Sequence, residues 1–310
     1  MLKFFTMWKI ISFFIFYLSI LLYPESLQVY FTPHQEVDNF ILEKVEEANK
    51  CVYIASYSFG WRKLLGKLLE LKKKNVDVKI FIEKSFYQDG LEKNIRKDNL
   101  KNSLFHPKFM IIDEEKLLIG SLNFTYENIY LHHNNIIFIE NKELTGYFYK
   151  TFLSFWNGKR VEDYYKKGKF EVYFSPWSDC ENILRKYIFS ANFSIYFALF
   201  DFTSEGIARQ IIEKKKKGIR VFGIIERNKI LPYSVFYLLE DFGCKMKKSN
   251  MAGLLHDKFF IIDEETVITG SYNPTLSARR NIECLFIVKD KKVAKEFLKE
   301  WKNLWLWYSL

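Results

Sequence analysis

Apolar positions along this chain change period at regular intervals, and the whole pattern is written twice. A short strand ending in proline, Val29–Pro33 (VYFTP), recurs as Val172–Pro176 (VYFSP), an offset of 143. A helical segment follows in each copy (Val37–Asn49, Cys180–Ala191), then a β-rich run (Cys51–Tyr57, Ser194–Phe200). A second helix ends in lysines (Lys72–Lys74, Lys214–Lys217), and another strand comes next (Val76–Ile82, Ile219–Ile225). Two apolar runs, Phe109–Ile112 with Leu117–Ile119 and Phe259–Ile262 with Val267–Ile268, precede a last strand and an aromatic-rich helix. Strands alternating with helices predict an α/β fold: two homologous lobes, 27–158 and 169–310, each with a largely buried sheet between helices. Lys159–Gly168 reads as a polar linker.

Before the repeat stands a different pattern. Ile10–Tyr23 is apolar except for Ser12 and Ser19, with Lys3 and Lys9 ahead of it and acidic residues after it. Residues 1–26 therefore read as a signal peptide or a membrane anchor. The lysines would hold the N-terminus in the cytoplasm, so the lobes are expected outside it: secreted, periplasmic or anchored.

Composition adds little to the fold and more to the partner. Apolar residues make up 49% of the chain and charged residues 27%, which excludes a disordered or multi-pass membrane protein. The net charge of +10 suits a phosphate-bearing partner, either a membrane surface or nucleic acid. Cys51, Cys180, Cys244 and Cys284 show neither zinc-site nor disulfide-framework spacing. The lysine runs sit at helix C-termini, where cations complement the dipole, and Trp301, Trp305 and Trp307 read as packing residues.

The chemistry lies in a motif present once per lobe. His106-x-Lys108-x4-Asp113-x6-Gly120-Ser121-x-Asn123 recurs as His256-x-Lys258-x4-Asp263-x6-Gly270-Ser271-x-Asn273, consuming two of only five histidines. His and Lys two apart on a strand point to the same side, so each lobe offers an acid–base or nucleophilic group beside a fixed positive charge. Gly120-Ser121 and Gly270-Ser271 allow close backbone approach with a hydroxyl facing an anion. The asparagine amides are neutral donors. Two such sets around one pocket suit a phosphodiester: Lys and Asn hold the non-bridging oxygens, one His attacks phosphorus and the other protonates the leaving oxygen. Asp113 and Asp263 read as turn or supporting groups, because no carboxylate cluster marks a metal site.

These paired motifs resemble the HKD motifs of the phospholipase D superfamily, over nearly all the chain after residue 27. Ser56–Phe59 and Phe200–Ala208 resemble that family's segment after the second strand. The resemblance implies α/β/α sandwich lobes related by a pseudo-twofold, one active site between them, and a monomer that is an internal pseudo-dimer. It implies hydrolysis or transfer through a phosphohistidine, with no metal or other cofactor. Its catalytic set is His106, Lys108, Asn123, His256, Lys258 and Asn273, supported by Ser121 and Ser271. The family also places an acidic residue downstream to bond the histidine's other ring nitrogen. Asn281-x-Glu283 fits in the second lobe; aligning Phe138 with Phe286 puts Asn135 in that place in the first. On that alignment Glu283 orients His256 and Asn135 orients His106. His256 is then the better proton donor and His106 the better nucleophile.

Shared chemistry leaves the substrate open. A phospholipase D hydrolysing or transferring phospholipid head groups is favoured. An exported or tethered nuclease is the alternative, followed by a cardiolipin-synthase-like phosphatidyltransferase and a non-catalytic phosphate-binding module.

Overall fold

The computed structural model describes residues 26–308 apart from 34–35, 87–93, 162–163 and 251. The hydrophobic N-terminal segment and its export reading lie outside the described residues. Among those residues, no helix is long and apolar enough to cross a membrane.

The first lobe runs β1 (Ser26–Thr32), α1 (Val37–Glu46), β2 (Cys51–Ser56), α2 (Arg62–Lys73), β3 (Asp77–Ile82), β4 (Ile95–Lys97), β5 (Phe109–Ile112), β6 (Lys116–Gly120), α3 (Tyr126–Tyr130), β7 (Asn134–Glu140) and α4 (Lys142–Trp156). The second runs β8 (Tyr164–Lys167), β9 (Phe170–Ser175), α5 (Cys180–Ser190), β10 (Ser194–Leu199), α6 (Glu205–Lys216), β11 (Arg220–Ile225), α7 (Phe236–Asp241), β12 (Lys245–Lys248), β13 (Lys258–Ile262), β14 (Thr266–Gly270), β15 (Glu283–Lys289) and α8 (Lys291–Trp307).

Each lobe builds one mixed sheet, ordered β1-β7-β6-β5-β2-β3-β4 and β12-β11-β10-β13-β14-β15-β9-β8. The strands joined through helices (β2–β3, β10–β11) pair parallel, whereas the hairpin β5–β6 and its counterpart β13–β14 pair antiparallel. Three strands were not visible in the sequence pattern: the short edge strands β4 and β12, and a third. Tyr164–Lys167, inside the segment read as a linker, pairs with β9 as an eighth strand of the second sheet. Its side chains are mostly exposed, so no apolar alternation announces it.

Both central strands β2 and β10 are buried at every position, because helices cover both faces of each sheet. α1 and α2 bury Val37, Ile41, Val45, Leu64, Leu68 and Leu71 against the outer face of the first sheet. α5 and α6 do the same in the second lobe with Leu184, Ile188, Ile207 and Ile211. The largest core lies between the lobes. There the i, i+4 aromatic stripes of α4 (Phe148, Phe152) and α8 (Phe297, Trp301) meet both sheets. Asn141 and Asp290 start these two helices by accepting amide protons of the first turn, from Leu144 and Lys292. Burying both lobes against one shared layer fixes their relative placement, and the seam so formed carries the chemistry.

Candidate active site

The motif's backbone shape comes first. A Cβ on Gly120 would stand 2.0 Å from the Asn135 carbonyl oxygen, and one on Gly270 2.3 Å from that of Cys284, with φ +117°. Only glycine lets β6 and β14 end so close to the final strands. The following Ser121 and Ser271 amides then donate to those same carbonyls at 3.0 Å. Asp113 and Asp263 lie at the far ends of β5 and β13 from the lysines, outside the pocket. Each accepts backbone amides of the preceding loop (Asn49–Cys51 and Asn192–Ser194).

His106 and His256 stand just ahead of β5 and β13, where the lobes exchange backbone hydrogen bonds. His106 N–H donates to Ile282 O, and Ile282 N–H to Leu104 O, both at 2.9 Å. Symmetrically, His256 N–H donates to His133 O at 2.9 Å and His133 N–H to Leu254 O at 2.8 Å. Each histidine is thus held beside the start of the opposite lobe's last strand.

That placement decides the ring partners, and it corrects the pairing expected from sequence. His106 Nδ1 lies 2.6 Å from Glu283 Oε2, and His256 Nδ1 lies 2.8 Å from Asn134 Oδ1. Glu283 therefore orients the first-lobe histidine, not His256. The residue matching Glu283 is Asn134, not Asn135: β6–β7 pairs Gly120 with Ile136, as β14–β15 pairs Gly270 with Leu285. Aligning Phe138 with Phe286 slips the strand by one residue, and a one-residue slip exchanges the faces. Asn135 instead donates to Asp257 Oδ1 at 2.7 Å and accepts from Thr269 Oγ1 at 2.7 Å.

Asn134 is held as an amide by its surroundings. Its Nδ2 donates to the Asn128 and His132 carbonyls at 3.2 and 3.3 Å, which turns Oδ1 towards His256. Glu283, buried to 1% exposure, also receives Ser271 Oγ at 2.6 Å and Asn281 Nδ2 at 3.2 Å. Both rings thereby have a fixed acceptor at Nδ1, leaving Nε2 for chemistry.

The two lysines are buried, and each donates to its own lobe's histidine carbonyl: Lys108 to His106 O at 2.7 Å, Lys258 to His256 O at 2.6 Å. Burial, and then Lys258, push Lys108 well below the usual lysine range. Burial brings Lys258 down to about 7, opposed by Asp257 and Glu283. His256 is driven well below its ordinary value by burial and by both lysines. His106 is also lowered by burial, with Glu283 working against that. Burial alone would raise Glu283, but His106 and Lys108 outweigh it and keep the carboxylate ionised. The site is desolvated, and its lysines and histidines hold down one another's charge, so an anion placed between them is stabilised.

Asn123 is buried and Asn273 half-buried, and neither amide oxygen has a hydrogen-bond partner among the described residues. Among those residues there is also no group of three or more His, Cys, Asp or Glu arranged to hold a metal ion. Residues that sequence reasoning passed over are Asn134, Asp257 and Thr269, together with Tyr57 and Phe200, whose rings meet His106 and His256 edge-on at 4.9 and 5.0 Å. A register taken from the glycines would have found Asn134.

Comparison with known proteins agrees with this architecture. A family model described as "Cardiolipin synthase, PLD-like domain" matches residues 41–156 and again 184–305, once per lobe. A phospholipase D of Rickettsia prowazekii is 30% identical over 130 residues, 41% of this chain and 63% of that protein. A mitochondrial cardiolipin hydrolase of Canis lupus familiaris is 31% identical over 130 residues, 41% of this chain and 51% of that protein. The chain thus spans less than two thirds of the length of either. The phosphatidylserine synthase structure of Haemophilus influenzae shares the fold, with a TM-score of 0.70 at 11% identity over 91% of this chain and 86% of that one. Matched in both lobes and over more than half its length, the chain belongs to the phospholipase D-like family.

Proposed function

We propose that the chain is a phosphodiesterase that cleaves or transfers phospholipid head groups through a phosphohistidine on His106. The observation that carries this is the crossed pairing of the two histidines, one with a carboxylate and one with an amide. Attack by His106 Nε2 on phosphorus forms a P–N bond and turns the ring into a phosphoimidazolium, a cation. Glu283, 2.6 Å from its Nδ1, is the counter-ion that this cation needs. The P–O bond to the leaving alcohol breaks with its electron pair on oxygen. Burial and the two lysine charges hold His256 neutral in the resting site. The bound phosphodiester anion offsets those charges, so the ring takes up a proton with substrate and gives it from Nε2 to the leaving oxygen, while Asn134 accepts from Nδ1–H.

In the second half His256, now neutral, takes a proton from water or an acceptor alcohol, which displaces His106. Lys108, Lys258, Asn123 and Asn273 hold the non-bridging oxygens throughout. The roles of the two histidines match the sequence expectation, but on different grounds. The sequence argument placed the carboxylate at His256. The observed pairing favours His106 as nucleophile because the positive charge formed on it is the one that persists.

The phospholipid reading is supported by the names of the relatives and by two exposed apolar side chains: Phe86, 42% exposed, whose ring meets that of Tyr57 beside His106, and Leu104, 38% exposed, two residues before His106. The test is a parallel assay of the full chain, with EDTA present, on phospholipid vesicles and on single- and double-stranded DNA. Release of head group with intact DNA is expected. Cleavage of DNA alone would replace the phospholipid reading by the nuclease one, and activity only on adding a divalent metal would overturn the metal-free scheme.

A further inference from the structure

Around the mouth of the site each lobe serves as a reference for the other. Tyr57 and Phe200 are equivalent residues, one position beyond β2 and β10, and each ring leans edge-on against its lobe's histidine. The ammonium of Lys108 stands 5.4 Å from the Tyr57 ring centroid, and that of Lys258 stands 5.1 Å from the Phe200 centroid. To this point the halves match.

The next residues outward do not. β3 and β11 are each followed by a glutamate and a short 3-10 turn. Glu83 accepts the Phe105 amide proton at 2.7 Å, and Glu226 accepts that of Leu255 at 2.8 Å, so the two turns correspond. The last residue of the first turn is Phe86, whose ring sits 4.8 Å from that of Tyr57 and faces solvent. The last residue of the second turn is Lys229, whose Nζ lies 4.9 Å from the Phe200 centroid. Ser58 in the first lobe is matched by Asp201 in the second, a half-buried carboxylate electrostatically coupled to Lys229 and Lys258. Among the described residues, the place of the Phe86 ring on one side of the mouth is taken by the Lys229 cation on the other, and that of Ser58 by the Asp201 carboxylate.

We propose that this asymmetry fixes the direction in which substrate binds: the apolar substituent of the phosphodiester lies over Tyr57 and Phe86, and the leaving alcohol lies over Phe200, Asp201 and Lys229. The inference rests on the phosphodiesterase reading above, in which His256 protonates the leaving oxygen and so places that alcohol on the second lobe. Lys229 then selects a leaving alcohol with its own anionic group, and Asp201 receives a hydroxyl or ammonium donor beside it. The substrate class is a phospholipid whose head group carries both, as a serine head group does, rather than one bearing only a quaternary ammonium. The apolar half is the place for the glycerolipid that remains on His106 after the P–O bond breaks.

The experiment compares wild type, Lys229→Ala and Phe86→Ser on phosphatidylserine and phosphatidylcholine, each in a long-chain and a short-chain form with acyl chains matched between the two head groups, and each as a minor component of the same neutral detergent micelle. Melting temperature checks folding. Wild type is expected to prefer the serine head group. Lys229→Ala should lower the serine-to-choline ratio of kcat/KM about tenfold, the scale for losing one charge-assisted contact in a half-buried place. Phe86→Ser should leave that ratio in place and instead lower the long-chain to short-chain ratio by about 3- to 10-fold. Turnover by wild type with both ratios unmoved in the variants, or with the two effects exchanged, would overturn the polarity while leaving the phosphodiesterase reading intact. Wild-type silence on both lipids would overturn both.

Discussion

Glu283→Gln tests the crossed pairing, because it keeps the shape of the side chain and removes its charge. In the folded protein Glu283 is 1% exposed and accepts from Ser271 Oγ and Asn281 Nδ2 as well as from His106 Nδ1. The neutral ring of the resting site needs only a hydrogen-bond acceptor there, which a glutamine oxygen supplies. The phosphoimidazolium needs a counter-ion, and glutamine has none. Leaving a buried cation uncompensated costs about 3–5 kcal/mol. At 1.36 kcal/mol per decade, that is a loss of about 10²- to 10⁴-fold in kcat. KM should move far less, since the charge appears only as the P–N bond forms. The assay is steady-state head-group release from mixed micelles, with a thermal melt to show that the variant is folded. A folded Glu283→Gln within about tenfold of wild-type kcat would refute the counter-ion argument.

The lysines give a pH dependence. With Lys258 near 7, kcat/KM should fall as pH rises through that value and the ammonium is lost, and Lys258→Arg should flatten this limb at whatever activity remains; an unchanged limb would assign it elsewhere. Asp257, pushed up to about 6 by burial, lies above its unfolded value of 3.8, so its contribution to stability is full below pH 3.8 and lost as pH rises through about 6. Asp257→Asn should therefore gain up to about 3 kcal/mol over wild type at pH 8 and little at pH 4, read from chemical denaturation at both. Gly120→Ala should cost about 1–3 kcal/mol or more, because its Cβ would meet the Asn135 carbonyl. Gly66→Ala, in α2 with nothing within 4 Å, should gain a few tenths to about 1 kcal/mol; equal melting temperatures for the two variants would contradict the close-approach argument.

Most of the fold was readable because its information is local. The apolar runs of β5 and β6 and of β13 and β14 are short, β-rich and bracketed by the motif's own Asp and Gly, and the α4 and α8 stripes keep helical spacing. The histidines, lysines and asparagines of the motif were found by spacing alone. What escaped is non-local. His106 and Glu283 are 177 residues apart, and His256 and Asn134 are 122 apart, so no local period reveals that the partners cross the seam. Within a lobe the first copy is one residue longer between its motif asparagine and Asn134 than the second is between Asn273 and Glu283. Aligning Phe138 with Phe286 implies two extra residues instead of one, which put Asn135 in the place that Asn134 holds. Asp257 sits between two motif residues and points the other way along the strand, into the Asn135–Thr269 contact. Only three-dimensional packing makes that contact visible.

The measurement closest to the central claim is acid-free trapping of the covalent intermediate on the His256→Ala variant, given a substrate with a good leaving group that needs no proton. The missing general base should let the intermediate accumulate, and the phosphatidyl adduct, kept near neutral pH and mapped by peptide mass spectrometry, should fall on the peptide carrying His106. Phosphate on any other residue, or none in a variant that still releases the leaving group in a stoichiometric burst, would contradict the account.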